Sequence, residues 1–561
     1  MNVRGASTVL SALLLASSAG AQSVAPLPEA VKRAEAVVTP AALEAPVRFL
    51  ADDLLEGRAP SHIGDVLSRR YLASTMELLG LEPGFAGGRW EQEFDIVGIT
   101  SKAPETWSFD AGGKAVAMKY WTDYIATSGV QRPEAGFDGA EVVFVGYGIV
   151  APEYRWDDIK GADLKGKVLL MLNNDPDWDP ALFEGARRLY YGRWTYKYEE
   201  AARLGAAGAI IIHTDPSAGY PWRVVQNSWS KEQFELPAGG GPRIQVSAWA
   251  THDAAARLVA AAGKDLATLE KAARSRDFRP VPLGITTSLH LTSTVSRART
   301  GNVCGMIRGS DPTLKAQYVA FSAHHDHLGV GRPDETGDRI FNGARDNASG
   351  VAEVLAIARQ FKALPSPPRR SLLFVFVTAE ESGLLGSAYF AAHPPVPAAD
   401  IVADINFDAG NIFGRTKDVA QVGTGKSTLD GVLRRAAAEQ NRVVTGEAFP
   451  EQGSFYRSDQ FSFAKIGVPC LYFGSGVDYV GRPEGWGRKT SEAWTAAHYH
   501  RPSDELDGTW NYDGMIEDTQ LGFVVGWMVS QADSAPQWLP GDEFAHLRPP
   551  RAPAGSRPAG H

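Results

Sequence analysis

Apolar and polar positions follow three different rhythms along this chain. Between residues 28 and 82 the spacing is helical: Leu50, Leu54 and Leu55, then Tyr71, Leu72, Met76, Leu78 and Leu79, with Gly80 as a stop. From about 118, short apolar runs bounded by Gly, Asp and Pro take over. Val142–Val145 and Val168–Leu172 read as strands, Glu199–Leu204 as a helical stretch and Ala209–Ile212 as a buried strand. Residues 254–274 read as one alanine-rich helix. From 317 onward, strands and helices alternate. Tyr318–Ala323, Leu372–Val377, Ile401–Phe407 and Cys470–Phe473 are continuous apolar runs, as central parallel strands are. Between them lies a helix over Ala348–Leu364 with Val351, Val354, Leu355, Ala358 and Phe361 on one face.

These rhythms predict an α/β protein with a mixed, mostly parallel central sheet flanked by helices, carrying a separate β-rich α/β domain. A chain of 561 residues is too long for one core. The expected division is a signal over 1–21, an N-terminal helical part over 28–117, a separate domain over 118–295, a sheet of alternating strands and helices over 296–534 and a disordered tail over 535–561. The signal rests on Arg4, the short apolar stretch Val9–Ala16 and the cleavage-type triplet Ala19-Gly20-Ala21. It predicts export, to periplasm or medium. The tail is expected disordered because it is rich in Pro, Ala, Arg and Gly.

Net charge changes the picture little. At −9 it offers no basic surface for nucleic acid, and no segment is apolar for long enough to predict a membrane span. Cys304 and Cys470 are the two cysteines; they could be joined after export or simply be buried.

The informative chemistry lies at the ends of the second set of strands. His324 directly follows one run; Glu380 and Glu381 follow the next; Asp408 follows the third. Asp346 sits in a loop just before the Ala348 helix, and His500 closes the series. Ligands of open α/β sheets bind beyond the carboxyl ends of the strands. Five imidazole and carboxylate groups exceed what one catalytic zinc needs, and they fit two ions sharing a carboxylate. Asp346 is the best candidate for the shared ligand. Zinc suits these donors, and cobalt or manganese could occupy them. Each element alone has a bland reading: a His-x-Asp triplet as a surface turn, a Glu pair as a solvated face, a strand-end Asp as a helix cap. The ordered set is far more specific.

In these stretches the chain resembles the M28 zinc peptidases, aminopeptidase type. The likeness is carried by Ala323–Gly329 (AHHDHLG), Asn342–Gly350 (NGARDNASG), Thr378–Gly386 (TAEESGLLG), Asn406-Phe407-Asp408 and Tyr499–Asp504 (YHRPSD). Leu50–Arg58 resembles the family's N-terminal region, and Val142–Asp158 and Tyr198–Thr214 resemble the protease-associated (PA) domain that some members insert. The resemblance implies metal ligation by His324, Asp346, Glu381, Asp408 and His500, with Asp346 bridging two zinc ions. It implies Asp326 as an acid that hydrogen-bonds His324, and Glu380 as the general base toward a water or hydroxide between the metals. Tyr499 is implied as an oxyanion stabiliser, and peptides with a free N-terminus as substrates. Arg345 and Ala409-Gly410-Asn411 depart from common family residues. His325, His327 and His498 match no ligand position. Asp459 matches a family stretch near the site, as substrate contact or helix cap. The aromatic run Tyr190, Tyr191, Trp194, Tyr196 and Tyr198 reads as inserted-domain core or as cleft mouth.

Three other readings compete. A glutamate-type carboxypeptidase or dipeptidase shares the ligands, but the carboxypeptidases carry a long helical domain after the catalytic sheet, and little chain follows Trp527. A glutaminyl cyclase would use a single zinc. A non-catalytic binding module would have lost ligands, whereas all five are present.

Overall fold

The computed structural model describes residues 26–551. Two sheets lie side by side, joined by one long strand. The catalytic sheet is built on Tyr318–His324, which pairs in parallel with Ser371–Val377 on one side and Ile401–Asn406 on the other. Cys470–Ser475 continues it in parallel, and Asp418–Val422 adds an antiparallel strand beyond. Every residue of Ser371–Val377 is buried, as a strand covered on both faces must be. Helices Gly350–Lys362, Pro40–Leu50 and Asp513–Gln531 cover one face, with Val351, Leu355, Leu43 and Phe523 in a shared core. The mixed, mostly parallel sheet flanked by helices is the fold that the apolar rhythm predicts.

The register delivers the chemistry. His324 stands opposite Val377, so Glu380 and Glu381 emerge beside it. Ser322 stands opposite Asn406, which brings Asp408 to the same edge.

The second sheet aligns Glu134–Phe144, Val168–Leu172, Gly208–His213 and Val246–Thr251 in parallel, with Tyr124–Ser128 antiparallel at its edge. Strand Val281–Ile307 runs through both sheets. It pairs with Glu134–Phe144 at its start, with Glu91–Lys102 along its middle and with Ser371–Val377 at its end.

Four expectations need correction. The N-terminal part is helical only to Leu78; strands follow from Glu82, and the hairpin Thr106–Lys119 puts Trp107, Phe109 and Met118 into the inserted core. The boundary expected at 295 falls inside a strand that stays paired throughout Thr292–Val303, so it is no boundary. The helix expected over 254–274 is two, His252–Ala261 and Leu266–Ala273. Gly263 takes a left-handed φ of 67° between them and the Asp265 side chain caps the second. The tail expected to be disordered from 535 is packed through residue 551. Trp538 and Phe544 are buried, the Trp538 indole donates to Gly467 O at 3.0 Å, and Arg548 donates to Ile401 O at 2.9 Å. Its aromatic residues outweigh its composition. The signal expected over 1–21 lies outside the described residues.

Cys304 and Cys470 are unbonded and buried. Among the described residues no helix is long and apolar enough to cross a membrane.

Candidate metal centre

His324 ends its strand and is almost fully buried. Its Nδ1 faces Asp326, 3.6 Å from a carboxylate oxygen and 3.3 Å from the backbone carbonyl. Its Nε2 therefore points inward, 3.4 Å from Asp346 Oδ1 and 3.5 Å from Asp408 Oδ1. His500 is arranged likewise. Its Nε2 lies 3.4 Å from Asp346 Oδ2 and 3.1 Å from Glu381 Oε2. The two oxygens of Asp346 thus face two different histidines. Asp346 is fixed from behind: its N–H donates to Asp504 at 3.1 Å, and the Arg345 N–H donates to the other Asp504 oxygen at 2.9 Å. Ser458 donates to Asp408 at 2.6 Å.

The donor set fits metal ions. Nε2 of His324 and of His500 are buried without a hydrogen-bond partner among the described residues. Buried lone pairs that converge unsatisfied are costly unless a cation takes them. Two groups of donors are each compact enough for one ion: His324, Asp346 and Asp408, and His327, Asp346 and Glu381. Asp346 belongs to both.

His327 is thereby drawn into the site that its sequence position did not suggest. Its Nδ1 is 2.7 Å from Glu381 Oε1, and its ring meets His500 edge-on at 5.6 Å. His325 is buried beneath, with Nε2 3.3 Å from Gly301 O. His498 is on an exposed helix end, hydrogen-bonded to Ser503.

Glu380 adjoins this centre; its N–H donates to Asp326 at 3.1 Å. Burial lifts its carboxyl well above the usual range; His324 opposes this, and Glu381 and Asp459 add to it. Burial would lower His324, but Asp326, Asp346 and Asp408 outweigh it and hold the imidazole up. Burial likewise opposes His500, which Glu381 and Asp346 raise to about 9. Such strong coupling is typical of functional clusters. Tyr499 stacks on His500 at 4.0 Å, and its hydroxyl accepts from Arg457 at 3.3 Å. Asp459 opens the helix Gln460–Ala464 without capping it and is fully buried. Burial raises it to about 7, with His324 opposing and Asp408 reinforcing.

The inserted domain reaches this centre. Ser228, on helix Trp222–Trp229, meets His500 Nδ1 at 2.8 Å, and Asn227 donates to His500 O at 2.9 Å. An outer partner of this kind fixes which imidazole nitrogen faces a metal. Lys231 donates to Leu328 O. Within the aromatic run, Tyr196 and Tyr198 are core while Trp194 lines a cavity at the site. Sequence reasoning missed Ser228, Asn227, Arg193 and Arg457. Arg457 directly precedes the Ser458-Asp459 pair already singled out and Arg193 lies within the aromatic run, both usable signals; Ser228 and Asn227 gave none.

Arg58 ties the N-terminal segment to the same loops. Its buried guanidinium donates to His325 O at 2.8 Å and Gly343 O at 3.0 Å. Beside the centre lies a cavity of about 190 Å³ bordered by Asp408, Glu380, Arg457 and Tyr499. It adjoins a larger one of about 550 Å³ bordered by Ala409, Tyr472, Tyr479 and Phe449.

Residues 302–524 match the family model for peptidase family M28. Over 277 residues the chain is 27% identical to leupeptin-inactivating enzyme 1 of Streptomyces exfoliatus, covering 49% of this chain and 58% of that protein. It is 24% identical to the probable leucine aminopeptidase 2 of Aspergillus oryzae, over 45% of this chain and 49% of that one. The chain thus spans about half the length of these curated relatives. Among solved structures, an aminopeptidase from Aneurinibacillus sp. strain AM-1 shares the fold, with a TM-score of 0.55 at 18% identity. That match covers 90% of this chain and 97% of the other.

Proposed function

We propose that this chain, whose residues 302–524 belong to peptidase family M28, is an exported di-zinc aminopeptidase that removes N-terminal residues from peptides. The observation that carries this reading is Asp346, with one oxygen 3.4 Å from His324 and the other 3.4 Å from His500. His324 and Asp408 would hold one ion, Glu381 and His500 the other, and Asp346 both. When bound, the ions would supply Lewis-acid activation of the scissile carbonyl and of the attacking water.

The chain's own groups do the rest. Glu380 takes the proton of the attacking water and returns it to the leaving amine, a role suited to a carboxyl held high by burial. The Tyr499 hydroxyl accepts from Arg457, which leaves its own proton free to donate to the oxyanion of the tetrahedral intermediate. Asp326 keeps His324 turned so that Nε2 faces the site. The acidic lining suits a substrate's free ammonium, and the larger cavity of about 550 Å³ has room for its first side chain. Export rests on the features of residues 1–21. The inserted domain is read as a PA domain from Val142–Asp158 and Tyr198–Thr214.

The test is hydrolysis of aminoacyl-nitroanilides beside their N-acetylated forms and C-terminal-glutamate peptides, with and without chelator. Chelator-sensitive cleavage of the free-amine substrates alone is expected. Cleavage confined to the C-terminal-glutamate peptides would move the assignment to a carboxypeptidase.

A further inference from the structure

Glu380, Glu381, Arg457 and Tyr499 form a wall between two cavities. One leads to the large space already described. The other is small, about 70 Å³, and is bordered by Trp194, Val224 and Trp229 of the inserted domain. Arg193 and Arg457 both line it. Arg193 Nε is buried without a hydrogen-bond partner, and the guanidinium lies 5.5 Å from the Trp194 ring centre. Arg457 reaches the Tyr499 hydroxyl at 3.3 Å, Gln452 O at 3.4 Å and the Tyr220 ring at 5.3 Å. Neither guanidinium forms an ion pair with an acid among the described residues, although Glu380 is close enough to act on both. Two cations side by side with so little water are costly unless an anion joins them, and planar guanidinium groups match a carboxylate.

Resting on the aminopeptidase reading, we infer that this cavity holds the C-terminal carboxylate of a short peptide, and that Arg193 selects dipeptides as preferred substrates. The chemistry places the carboxylate correctly. Glu380, which delivers the proton to the leaving nitrogen, lines the cavity. In a dipeptide the carboxylate carbon is separated from that nitrogen by a single Cα. The cavity has room for one small residue, with apolar walls beside the cationic end. A longer peptide would place an uncharged amide against the arginines.

The experiment compares kcat/KM for leucyl-glycine, leucyl-glycinamide and leucyl-glycyl-glycine on the full zinc-loaded chain. The wild type should favour the free acid over the amide by tenfold or more, expressed mainly in KM. Arg193→Met should collapse that ratio, and Arg193→Lys should retain part of it. Acid and amide cleaved within twofold of each other by the wild type would overturn the inference, with no variant needed. So would an equal proportional loss on both substrates in Arg193→Met. Leucyl-nitroanilide, which has no carboxylate, reports on the parent reading. Its hydrolysis without any acid-over-amide preference overturns the carboxylate site alone, and silence on every substrate overturns both.

Discussion

The catalytic sheet and the inserted sheet are built on the same plan, yet they meet the site in different ways. Both have parallel apolar strands, Ser371–Val377 in one and Gly208–His213 in the other, with every residue buried. In the catalytic sheet the strand ends themselves deliver His324, Glu380, Glu381 and Asp408. Among the described residues the inserted sheet's strand ends bring no metal donor to the centre. That sheet reaches the site through segments between its strands, which place Ser228 on His500 and Arg193 beside Glu380. Three of the proposed ligands and the proposed base are thus fixed by backbone register, whereas the proposed orientation and selectivity come from a separately packed body. The first can be altered by one side chain; the second also depends on how the inserted domain stands.

Several substitutions probe that contrast. The largest effect is expected in the catalytic sheet: Glu380→Gln should lower kcat by about 10²–10⁴-fold. Bound zinc, measured by metal analysis, should be retained, because Glu380 is not among the proposed ligands. Next is the inserted core. Trp107 is buried, packs on Phe109 at 4.8 Å and donates to Thr287 Oγ1 at 2.7 Å. Trp107→Ala should destabilise that domain by about 3–5 kcal/mol, measured by denaturant unfolding, and zinc affinity should fall as the domain opens. A variant that loses stability but keeps full zinc affinity would separate the two regions and break the comparison.

Ser228→Ala tests the contact directly. It should weaken zinc binding by roughly 10–100-fold in a chelator competition, with the far-UV spectrum unchanged and Ser228→Thr restoring part of the affinity. The smallest effect lies far from both. Burial, then Glu439, raises Glu35 to about 7, with Lys32 opposing. The folded state then binds more protons than the unfolded state between the unfolded value near 4.5 and about 7. Stability from this group is full at low pH and is lost as pH rises through that window. Glu35→Gln should therefore raise the melting temperature slightly at pH 8 and leave it unchanged near pH 4.

Much of this was legible from apolar rhythm and residue order. The central strands declare themselves because burial on both faces demands uninterrupted apolar runs, and the ligands because chemistry places them just beyond those runs. His327 was not legible: three residues past His324, it reads as another loop imidazole until the chain turns it onto Glu381. Ser228 lies 272 positions from His500, and no local pattern encodes such a contact. The break at Gly263 was overridden by alanine content on either side. The packed tail was obscured because two buried aromatics, Trp538 and Phe544, are few against its Pro and Arg.

The central claim is that Asp346 serves two ions at once. The direct measurement is zinc bound per chain after exhaustive dialysis, for the wild type and for Asp408→Ala. Two zinc ions in the wild type and one in the variant are predicted. One zinc in the wild type, unchanged by the substitution, would contradict the account.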